Sequence, residues 1–589
     1  MKNQLNILTM ALWIFLSAIV WSCNRDEEIE GVMAPKIELD NESGVYKVKA
    51  GRILTIVPRL YNAEGATVTW REDEKVVSTS AELTISWPEA GKHYLTLTVE
   101  ATGGTSSEEI RVDVEELSAP VISMPFSGEV LTIQTGTAYR LSPEIANREV
   151  EGFHVEWRVD GEVFCVESAC TLTADTEGDF DIELYAENID GSDLRHFTLR
   201  VVDEMPYELR FPPISYMNPS TDRYTFVGRP VWLSPEVVHL AGEEWQWSVN
   251  GEVVECSGKY YVFTPSQPGE YLINVLVDGI AGASVRVVCV EEDESARCRK
   301  VSAVSSPTSD RVWEWIPAPG QFIGDTQTGG MTGLEISHEL AVEWAAERLR
   351  TQQFVSLGGF GGYIVVGFDH SVVRRTGELY DFGIEGNAFF NAGTDSGGSN
   401  EPGIVYVMQD VNGNGLPDDE WYELRGSETG IPDTRQDYAV TYYRPAGARM
   451  NVQWTDNYGA TGNIDYLPAF HRQESYYPLW VEADSYTLRG TCLASRTSQD
   501  VDTGLWDNNA YGWGYADNMG SDIISGRGEV SGESQCNGFR ISNAMLPDGT
   551  PVDLSYIDFI KVQTGVNSKA GWLGETSTEV FGFIDLSIE

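Results

Sequence analysis

The chain has 589 residues, of which 42% are hydrophobic and 11% aromatic, so it can form several cores and is not a disordered chain. Its 90 acidic and 40 basic residues give a formal net charge of -50. This charge excludes nucleic acid as a partner, because such a surface repels phosphate. The length allows about four domains of ordinary size.

The N-terminus has the pattern of a secretory signal peptide. Lys2 precedes an apolar stretch at residues 5–21, and Cys23 is followed by a polar, acidic segment. This arrangement resembles a bacterial lipobox, although Trp21 stands where a small residue is more common. The acidic segment resembles the signal that exports Bacteroidota lipoproteins to the outer face of the outer membrane. The resemblance implies a signal peptide at residues 1–22, lipidation of Cys23 and a lipid-anchored tether at residues 23–34. An ordinary secreted protein and a retained anchor helix are the alternatives.

Three repeats follow, at residues 35–116, 117–203 and 204–293. Trp70, Trp157 and Trp247 occupy equivalent positions, and each is followed by a glycine 21, 21 and 22 residues later, respectively. Apolar and polar residues alternate between these positions, which predicts half-buried strands. The dipeptides at residues 160–161 and 250–251 predict hairpin turns. We therefore expect three β-sandwiches with the tryptophans in their cores.

These anchors resemble the PKD-like and immunoglobulin-like modules of bacterial surface proteins. The resemblance covers about residues 35–293. It implies that the three repeats form a stalk that holds the last domain away from the membrane.

A linker at residues 294–311 leads to a C-terminal domain at residues 312–589, called the head below. Ser337 can cap a helix that continues from Glu339 to Arg350 with an apolar stripe. Strands separated by long polar loops dominate the rest. The sequence thus predicts an all-β chain, with tandem Ig/PKD-like β-sandwiches followed by a jelly-roll-like sandwich with one short helix.

The strongest chemical motif in the head is an acidic, glycine-containing loop that begins at residue 410. Oxygen-bearing side chains at alternate positions, with glycines that allow a tight bend, can surround a hard cation as in an EF-hand loop. Trp421 stands where an EF-hand has its bidentate glutamate, and a strand precedes the loop in place of a helix. An Asx-rich turn without metal is the alternative. We predict structural calcium with these ligands: Asp410, Asn412, Asn414, Leu416, Asp418, Asp419 and Glu423.

Two further polar groups in the head could carry chemistry. Asp381, Glu385 and Asn387 alternate along a strand and could form a second cation site or a hydrogen-bond network. His370 beside Asp369 has no matching nucleophile motif, so we interpret it as structural. No catalytic motif is present, and we expect a binding protein that is not an enzyme. Paired carboxylates for glycoside cleavage remain an alternative.

Aromatic residues in the polar loops of the head are the other candidate ligand surface. Flat rings beside Asn and Asp suit stacking against a sugar or a corrin ring, whereas packing in the core is the alternative for any single ring. The predicted ligand-binding residues are Tyr477, Trp480, Trp506, Tyr511 and Trp513.

Short blocks across residues 312–589 resemble the C-terminal domain of Bacteroidota cell-surface lipoproteins with PKD-like repeats. They include residues 355–370, 401–410, 421–428 and 511–518. The resemblance implies outer-membrane nutrient uptake, including cobalamin acquisition, with a TonB-dependent transporter as partner. We therefore expect a surface lipoprotein whose head captures a glycan or a cobalamin-like nutrient. A polysaccharide-active enzyme and an adhesion or scaffold protein are the alternatives.

Overall fold

The computed structural model describes residues 33–324, 333–501, 503–524 and 535–588. The predicted signal peptide and the predicted lipidation site at Cys23 lie outside these residues. No helix in the described part of the chain is both long and apolar enough to cross a bilayer. Strands form nearly all of the regular structure, which confirms the all-β prediction.

The three repeats share one plan of nine strands each. A five-stranded sheet contains the second, ninth, eighth, fifth and sixth strands in that order, and two two-stranded sheets complete each repeat. The second and ninth strands pair in parallel, whereas the other pairs are antiparallel. The same plan in all three repeats explains the recurring spacing of the sequence.

The strands of the repeats have the following bounds. Repeat 1 contains β1 (Lys36–Glu38), β2 (Val45–Lys49), β3 (Leu54–Ile56), β4 (Arg59–Tyr61), β5 (Thr67–Glu72), β6 (Lys75–Ser78), β7 (Leu83–Ile85), β8 (Gly91–Ala101) and β9 (Gly104–Glu115). Repeat 2 contains β10 (Val121–Ser123), β11 (Val130–Gln134), β12 (Tyr139–Leu141), β13 (Glu144–Ala146), β14 (His154–Val159), β15 (Glu162–Cys165), β16 (Cys170–Leu172), β17 (Gly178–Asn188) and β18 (Gly191–Val202). Repeat 3 contains β19 (Glu208–Arg210), β20 (Arg223–Thr225), β21 (Val231–Leu233), β22 (Glu236–Val238), β23 (Trp245–Val249), β24 (Glu252–Val253), β25 (Tyr261–Phe263), β26 (Gly269–Val277) and β27 (Ala281–Cys289).

The equivalent tryptophans lie in the fifth strand of each repeat and are fully buried. The indole Nε1 of Trp157 donates to the carbonyl of Glu167 at 3.0 Å, and Trp70 and Trp247 make the same bond in their own repeats. Burial of the ring and pairing of its one polar atom make it a core residue in each sandwich. Asp160 and Gly161 both have positive φ angles, as the predicted hairpin turn requires.

The described residues divide into two compact units, one that ends at residue 118 and one that begins at residue 119. The first unit contains repeat 1, whose core is its own and includes Ile56, Trp70 and Leu97. The second unit contains repeats 2 and 3 together with the head.

Repeats 2 and 3 pack directly on the head and are not separate spacers, whereas the position of the head away from the membrane stays a prediction. The backbone N–H of Ala446 donates to Ser123 Oγ of repeat 2 at 2.6 Å. In repeat 3, the Arg223 guanidinium lies 3.3 Å from a carboxylate oxygen of Glu420, and both side chains are largely buried. An ion pair with so little exposure belongs to a permanent interface, since leaving either charge unpaired would be costly.

The segment predicted as a linker is also held on the head. It contains a short helix, α1 (Glu294–Arg297). Glu294 Oε1 accepts hydrogen bonds from Gln409 Nε2 at 2.6 Å and from the backbone N–H of Ser555 at 2.8 Å, and Glu294 Oε2 pairs with Arg229 of repeat 3. One carboxylate therefore joins the linker, the head and repeat 3.

The head is built on one six-stranded sheet in the order β28-β30-β42-β32-β33-β41, with smaller sheets β36-β35-β34-β37 and β40-β31-β44. Strands of all three sheets contribute to a single core. The bounds are β28 (Arg311–Ile316), β29 (Val355–Ser356), β30 (Tyr363–Val373), β31 (Phe382–Gly386), β32 (Gly403–Met408), β33 (Tyr422–Leu424), β34 (Arg435–Tyr443), β35 (Val452–Asp456), β36 (Thr461–Ile464), β37 (Ser485–Cys492), β38 (Thr497–Gln499), β39 (Trp506–Asn508), β40 (Gln535–Phe539), β41 (Ala544–Met545), β42 (Tyr556–Thr564), β43 (Glu579–Val580) and β44 (Gly582–Asp585).

The predicted helix of the head is present as α2 (His338–Arg350), and its predicted cap is confirmed. Ser337 Oγ accepts from the backbone N–H of Leu340 at 3.3 Å. Ala345 is fully buried, and Trp344 stacks on Trp315 of β28 with ring centroids 4.8 Å apart. The helix thus covers one part of the core of the head.

Candidate functional site

The predicted cation loop, residues 410–419, follows β32 and is closed by hydrogen bonds among its own residues. The side-chain amides of Asn412 and Asn414 both donate to the Asp418 carboxylate, at 2.9 Å from Nδ2 in each case. Asp410 Oδ2 accepts from the backbone N–H of Gly415 at 2.9 Å. Gly413 and Gly415 have φ angles of 71° and 76°, which only glycine adopts at little cost. The loop therefore brings together the short side chains that the sequence singled out.

Two carboxylates in the cation loop fit a cation. Asp410 Oδ1 and Asp419 Oδ1 are buried and have no hydrogen-bond partner among the described residues. Burial raises the pKa of Asp419 to about 8, and the neighbouring charge of Asp418 adds to the rise. A buried acceptor without a donor is costly, and a bound cation would remove that cost.

Glu423 does not belong to the cation loop, so its assignment as a calcium ligand is wrong. It lies on β33, where it pairs with Tyr406 of β32 and accepts a hydrogen bond from the Thr491 hydroxyl. Leu416 contributes its N–H to Asn414 Oδ1, and its side chain is exposed.

The second polar set does not converge on one point. Asp381 is buried and accepts from the backbone N–H groups of Arg375 and Ile541 through its two oxygens. The N–H of Asn387 donates to Asp517 Oδ1 at 2.9 Å. Glu385 lies on β31 against Gly582 of β44. Hydrogen bonds account for Asp381 and for the backbone of Asn387, and a cation site formed by the three residues together is not supported.

Three of the five predicted ligand-binding aromatics are core residues, and the ligand-contact prediction is wrong for them. Tyr477, Trp480 and Tyr511 are 2%, 7% and 3% exposed. The hydroxyl of Tyr477 donates to the carbonyl of Ala483 at 2.9 Å, and that of Tyr511 to Ala494 at 2.7 Å. Rings with no free face cannot stack on a sugar or a corrin.

The other two predicted aromatics are half-buried. Trp513 lines a cavity of about 270 Å³ together with Tyr380, Arg425 and Arg540. Trp506 lies on β39 against Gly571. Both retain some exposed surface, so their prediction as ligand contacts stands untested.

His370 is fully buried between two carboxylates. Its Nδ1 lies 2.6 Å from Asp369 Oδ1, and its Nε2 lies 3.0 Å from Asp585 Oδ2. Because both ring nitrogens are paired in the interior, the side chain is part of the core of the head.

A cleft of about 610 Å³ lies where repeat 3 meets the head, and we call it the junction cleft. Repeat 3 contributes Arg210 and residues 211–216 to one wall, and β28, β30 and β42 of the head contribute the other. Tyr216 is 39% exposed at this cleft and packs edge-on against Trp480 of the head. The volume lies in the range of small-molecule sites, about 300 to 1,000 Å³.

A row of polar residues crosses the six-stranded sheet beside the junction cleft. Glu314 of β28 and Lys561 of β42 both pair with Val365 of β30, and Lys561 in turn pairs with Tyr406, which pairs with Glu423. Residues in register on adjacent strands share a face of the sheet. We call Glu314, Lys561 and Glu423 the polar row.

Lys561 is the residue of the polar row whose charged group has no hydrogen bond or ion pair with a described residue. Its ammonium lies 4.3 Å, 5.1 Å and 5.5 Å from the ring centroids of Tyr406, Trp421 and Tyr363, and makes no hydrogen bond or ion pair with any described residue. Burial lowers the pKa of Lys561 to about 8, although Glu314 and Glu423 oppose the change. The aromatic rings stabilise the ammonium group but do not accept conventional hydrogen bonds from it. Its three N–H groups therefore remain available to a ligand in the cleft.

The two carboxylates of the polar row are held in different ways. Glu314 Oε2 accepts from the Tyr363 hydroxyl at 2.8 Å, and burial raises the pKa of Glu314. Burial raises the pKa of Glu423 to about 7, against the opposing effects of the Thr491 hydroxyl and of Lys561. At the far edge of the cleft, Glu236 of repeat 3 pairs with both Arg210 and Arg489.

The sequence analysis missed the polar row, although the sequence carries a signal for it. Glu314 stands between two tryptophans in β28, and Lys561 stands between Ile560 and Val562 in β42. A charge in such a strand must find a partner or a cavity. The pattern therefore marks the two residues but does not show that they share one face.

Comparison with known proteins identifies the first two repeats. Residues 34–101 and 119–188 match the family described as PKD-like domain. Repeats 1 and 2 are therefore similar to PKD-like domains. Tandem domains of this kind suggest a protein of the surface, scaffold or adhesion type. A comparison with curated proteins finds no match.

Solved structures with tandem β-sandwiches are similar over part of the chain. The I-band fragment I67–I69 from titin is 15% identical, with 44% of this chain and 99% of that chain covered at a TM-score of 0.20. Three N-terminal domains of the outer capsid protein Hoc from bacteriophage RB49 are 13% identical, with 44% and 99% covered at a TM-score of 0.20. The fibronectin(III)-like modules of CbhA from Clostridium thermocellum are 15% identical, with 28% and 94% covered at a TM-score of 0.17. Likeness at this level has no bearing on ligand or activity.

Proposed function

We propose that this protein is an outer-membrane lipoprotein, exposed at the cell surface through a lipidated Cys23, whose head captures a glycan in the junction cleft. It binds without turnover and passes the ligand to a TonB-dependent transporter. The single observation that carries the proposal is the unpaired Lys561 ammonium beside a cleft with aromatic walls. The lipobox resemblance supports the location.

The chemistry of the junction cleft favours a sugar. Tyr216 offers a partly exposed ring for stacking, and Lys561 and Arg489 offer hydrogen-bond donors to hydroxyl, acetamido or carboxylate oxygens. A cleft of about 610 Å³ has room for a short oligosaccharide, and a complete corrinoid would extend beyond it. We therefore propose a glycan before a cobalamin-like ligand.

Calcium in the cation loop is part of this proposal. Asp410 and Asp419 would be its carboxylate ligands, with Asp418 able to turn towards it. A cation there neutralises buried acidic groups and fixes the loop after β32, which is the strand next to β42 of the polar row. Its role is structural.

The proposal is tested by calorimetric titration of residues 24–589 with a panel of neutral and acidic oligosaccharides and with cobalamin. We expect one glycan class to bind and Lys561→Met to weaken it at least tenfold. Lys569→Met, which removes an exposed lysine paired with Asp465 away from the cleft, is the matched control and should bind as the parent does. Unchanged affinity of Lys561→Met would contradict the cleft as the site. Absence of binding to every sugar and to cobalamin would favour a scaffold or adhesion role.

A further inference from the structure

Three acidic side chains from distant parts of the head meet in its interior, and we call Glu401, Asp517 and Glu579 the acid cluster. Each offers a carboxylate oxygen, and these oxygens all lie within 4.8 Å of one another. Asp517 is fully buried and Glu579 is 3% exposed. They come from the residues before β32, from the loop before β40 and from β43.

The backbone fixes the position of the acid cluster. Both oxygens of Asp517 accept from backbone N–H groups, Oδ1 from Asn387 at 2.9 Å and Oδ2 from Glu579 at 3.0 Å. Glu401 Oε1 accepts from the N–H of Ser577 at 3.1 Å. Asp517 is held at a φ of 53°, in the left-handed region. The surrounding chain therefore holds the carboxylates together in spite of their mutual repulsion.

Glu579 gives the second observation. Its Oε1 is buried and has no hydrogen-bond partner among the described residues, although the side chain is directed at two other carboxylates. No positively charged side chain pairs with the acid cluster in the described part of the chain. Such an arrangement needs either shared protons or a cation.

We propose that Glu401, Asp517 and Glu579 bind one hard divalent cation, Ca²⁺, at a site separate from the cation loop. Three carboxylates supply only oxygen ligands. Ca²⁺ and Mg²⁺ prefer oxygen, whereas protein sites for Zn²⁺ and Cu²⁺ usually contain imidazole or thiolate ligands. Ca²⁺ accepts irregular geometry from a cluster of residues fixed by the backbone, whereas Mg²⁺ demands an almost ideal octahedron and retains several waters. The buried position of the cluster therefore favours Ca²⁺.

A cation here would join three segments that are far apart in sequence. Glu401 is followed by β32, whose Gly403 exchanges backbone hydrogen bonds with Ala516, next to Asp517. Glu579 begins β43, which pairs with β29. Binding would stabilise the folded head because the unfolded chain cannot assemble these ligands.

The test measures bound calcium by elemental analysis of residues 24–589 after equilibration with CaCl₂ and removal of free metal. Glu579→Gln should bind one Ca²⁺ fewer per chain than the parent, and Asp419→Asn in the cation loop should lose a different one. The double variant should lose both. Glu482→Gln, which changes an exposed glutamate of the head outside the acid cluster and the cation loop, is the matched control and should leave the calcium count unchanged.

Stability gives a second readout that separates a cation from shared protons. With a cation in the acid cluster, chelator should lower the melting temperature of Asp419→Asn, and the double variant Asp419→Asn/Glu579→Gln should not respond to chelator. With shared protons alone, Glu579→Gln should keep the calcium count of the parent and Asp419→Asn should melt at the same temperature with and without chelator, which would overturn the proposal. If Glu579→Gln does not fold, Asp419→Asn can be freed of metal with chelator and titrated with Ca²⁺. Binding of one Ca²⁺ would support the proposal, and absence of binding would overturn it. A site that is filled by Mg²⁺ and not by Ca²⁺ would overturn the choice of ion.

Discussion

At the scale of single residues, the chemistry of the head is set by ionisable groups that are largely removed from water. Glu423 accepts a hydrogen bond from Thr491, yet burial still raises its pKa to about 7. Lys561 shows the opposite shift for the same reason, since burial penalises the charged form of each. The polar row beside the junction cleft therefore carries a free-energy cost of burying charged groups, and a bound ligand can offset that cost.

Glu423→Gln should stabilise the protein in a pH-dependent way. Between the ordinary pKa near 4.5 and the folded value of about 7, the folded state holds a proton that the unfolded state releases, so the parent loses stability as pH rises through this window. Gln keeps the bond from Thr491 and does not titrate. The unfolding free energy of the variant should exceed that of the parent by about 1–3 kcal/mol at pH 8, and the difference should vanish near pH 4.

Denaturant unfolding at several pH values measures this effect. The exposed Glu482 supplies a control, because Glu482→Gln changes the same functional group at the surface. A stabilisation by Glu423→Gln that is the same at pH 4 and pH 8 would show that the buried charge is not its cause.

At the scale of structural elements, the tryptophan of the fifth strand stabilises each repeat. Trp157 is fully buried and its Nε1 pairs with the carbonyl of Glu167. Trp157→Phe should lower the unfolding free energy of repeat 2 by about 2–4 kcal/mol, because it leaves a cavity and an unpaired carbonyl. Trp572→Phe, at an exposed indole in the head, should change stability by less than about 0.5 kcal/mol.

Hydrogen–deuterium exchange during denaturant titration can assign the transition of repeat 2 and measure both variants. An equal loss of unfolding free energy in Trp157→Phe and Trp572→Phe would contradict the core role of Trp157. Trp70 and Trp247 make the equivalent bond, so the same substitution at either should reproduce the result in repeats 1 and 3.

Local patterns predicted the elements well. Trp70, Trp157 and Trp247 recur because each repeat buries the same ring, and Ser337 caps a helix through a bond to a residue three positions on. The cation loop was likewise visible because its donors and acceptors lie within ten residues of one another. Periodicity and spacing capture such short-range relations.

Long-range relations could not be predicted in this way. Glu314 and Lys561 are separated by most of the head in sequence and meet only through the pairing of β28, β30 and β42. The burial of Tyr477 was missed because an aromatic ring in a polar loop can face either the core or solvent, and composition does not decide between them. Glu423 was assigned to the cation loop by sequence proximity, whereas its strand turns it towards Tyr406.

At the scale of the whole molecule, the three similar repeats have different neighbours. Repeat 1 forms one compact unit, whereas repeats 2 and 3 share a unit with the head. Removal of residues 33–118 should therefore leave the melting temperature of the remainder within about 2 °C of its value in the parent, because no core residue of the second unit is lost.

A longer truncation to residue 204 gives the matched comparison. It removes Ser123 and Glu144, which bond to Ala446 and Asn451 of the head, and should lower the melting temperature of the head. Differential scanning calorimetry measures both truncations. A similar decrease for the two would show that repeat 1 supports the head after all.

The two-sided construction of the junction cleft has a mechanical consequence. Arg210 stands on one wall and Arg489 on the other, and Glu236 links them. A ligand that contacts both walls holds them together, so by thermodynamic reciprocity a force that separates repeat 3 from the head must lower the affinity for that ligand. A pulling force along the polypeptide would then promote dissociation of the ligand.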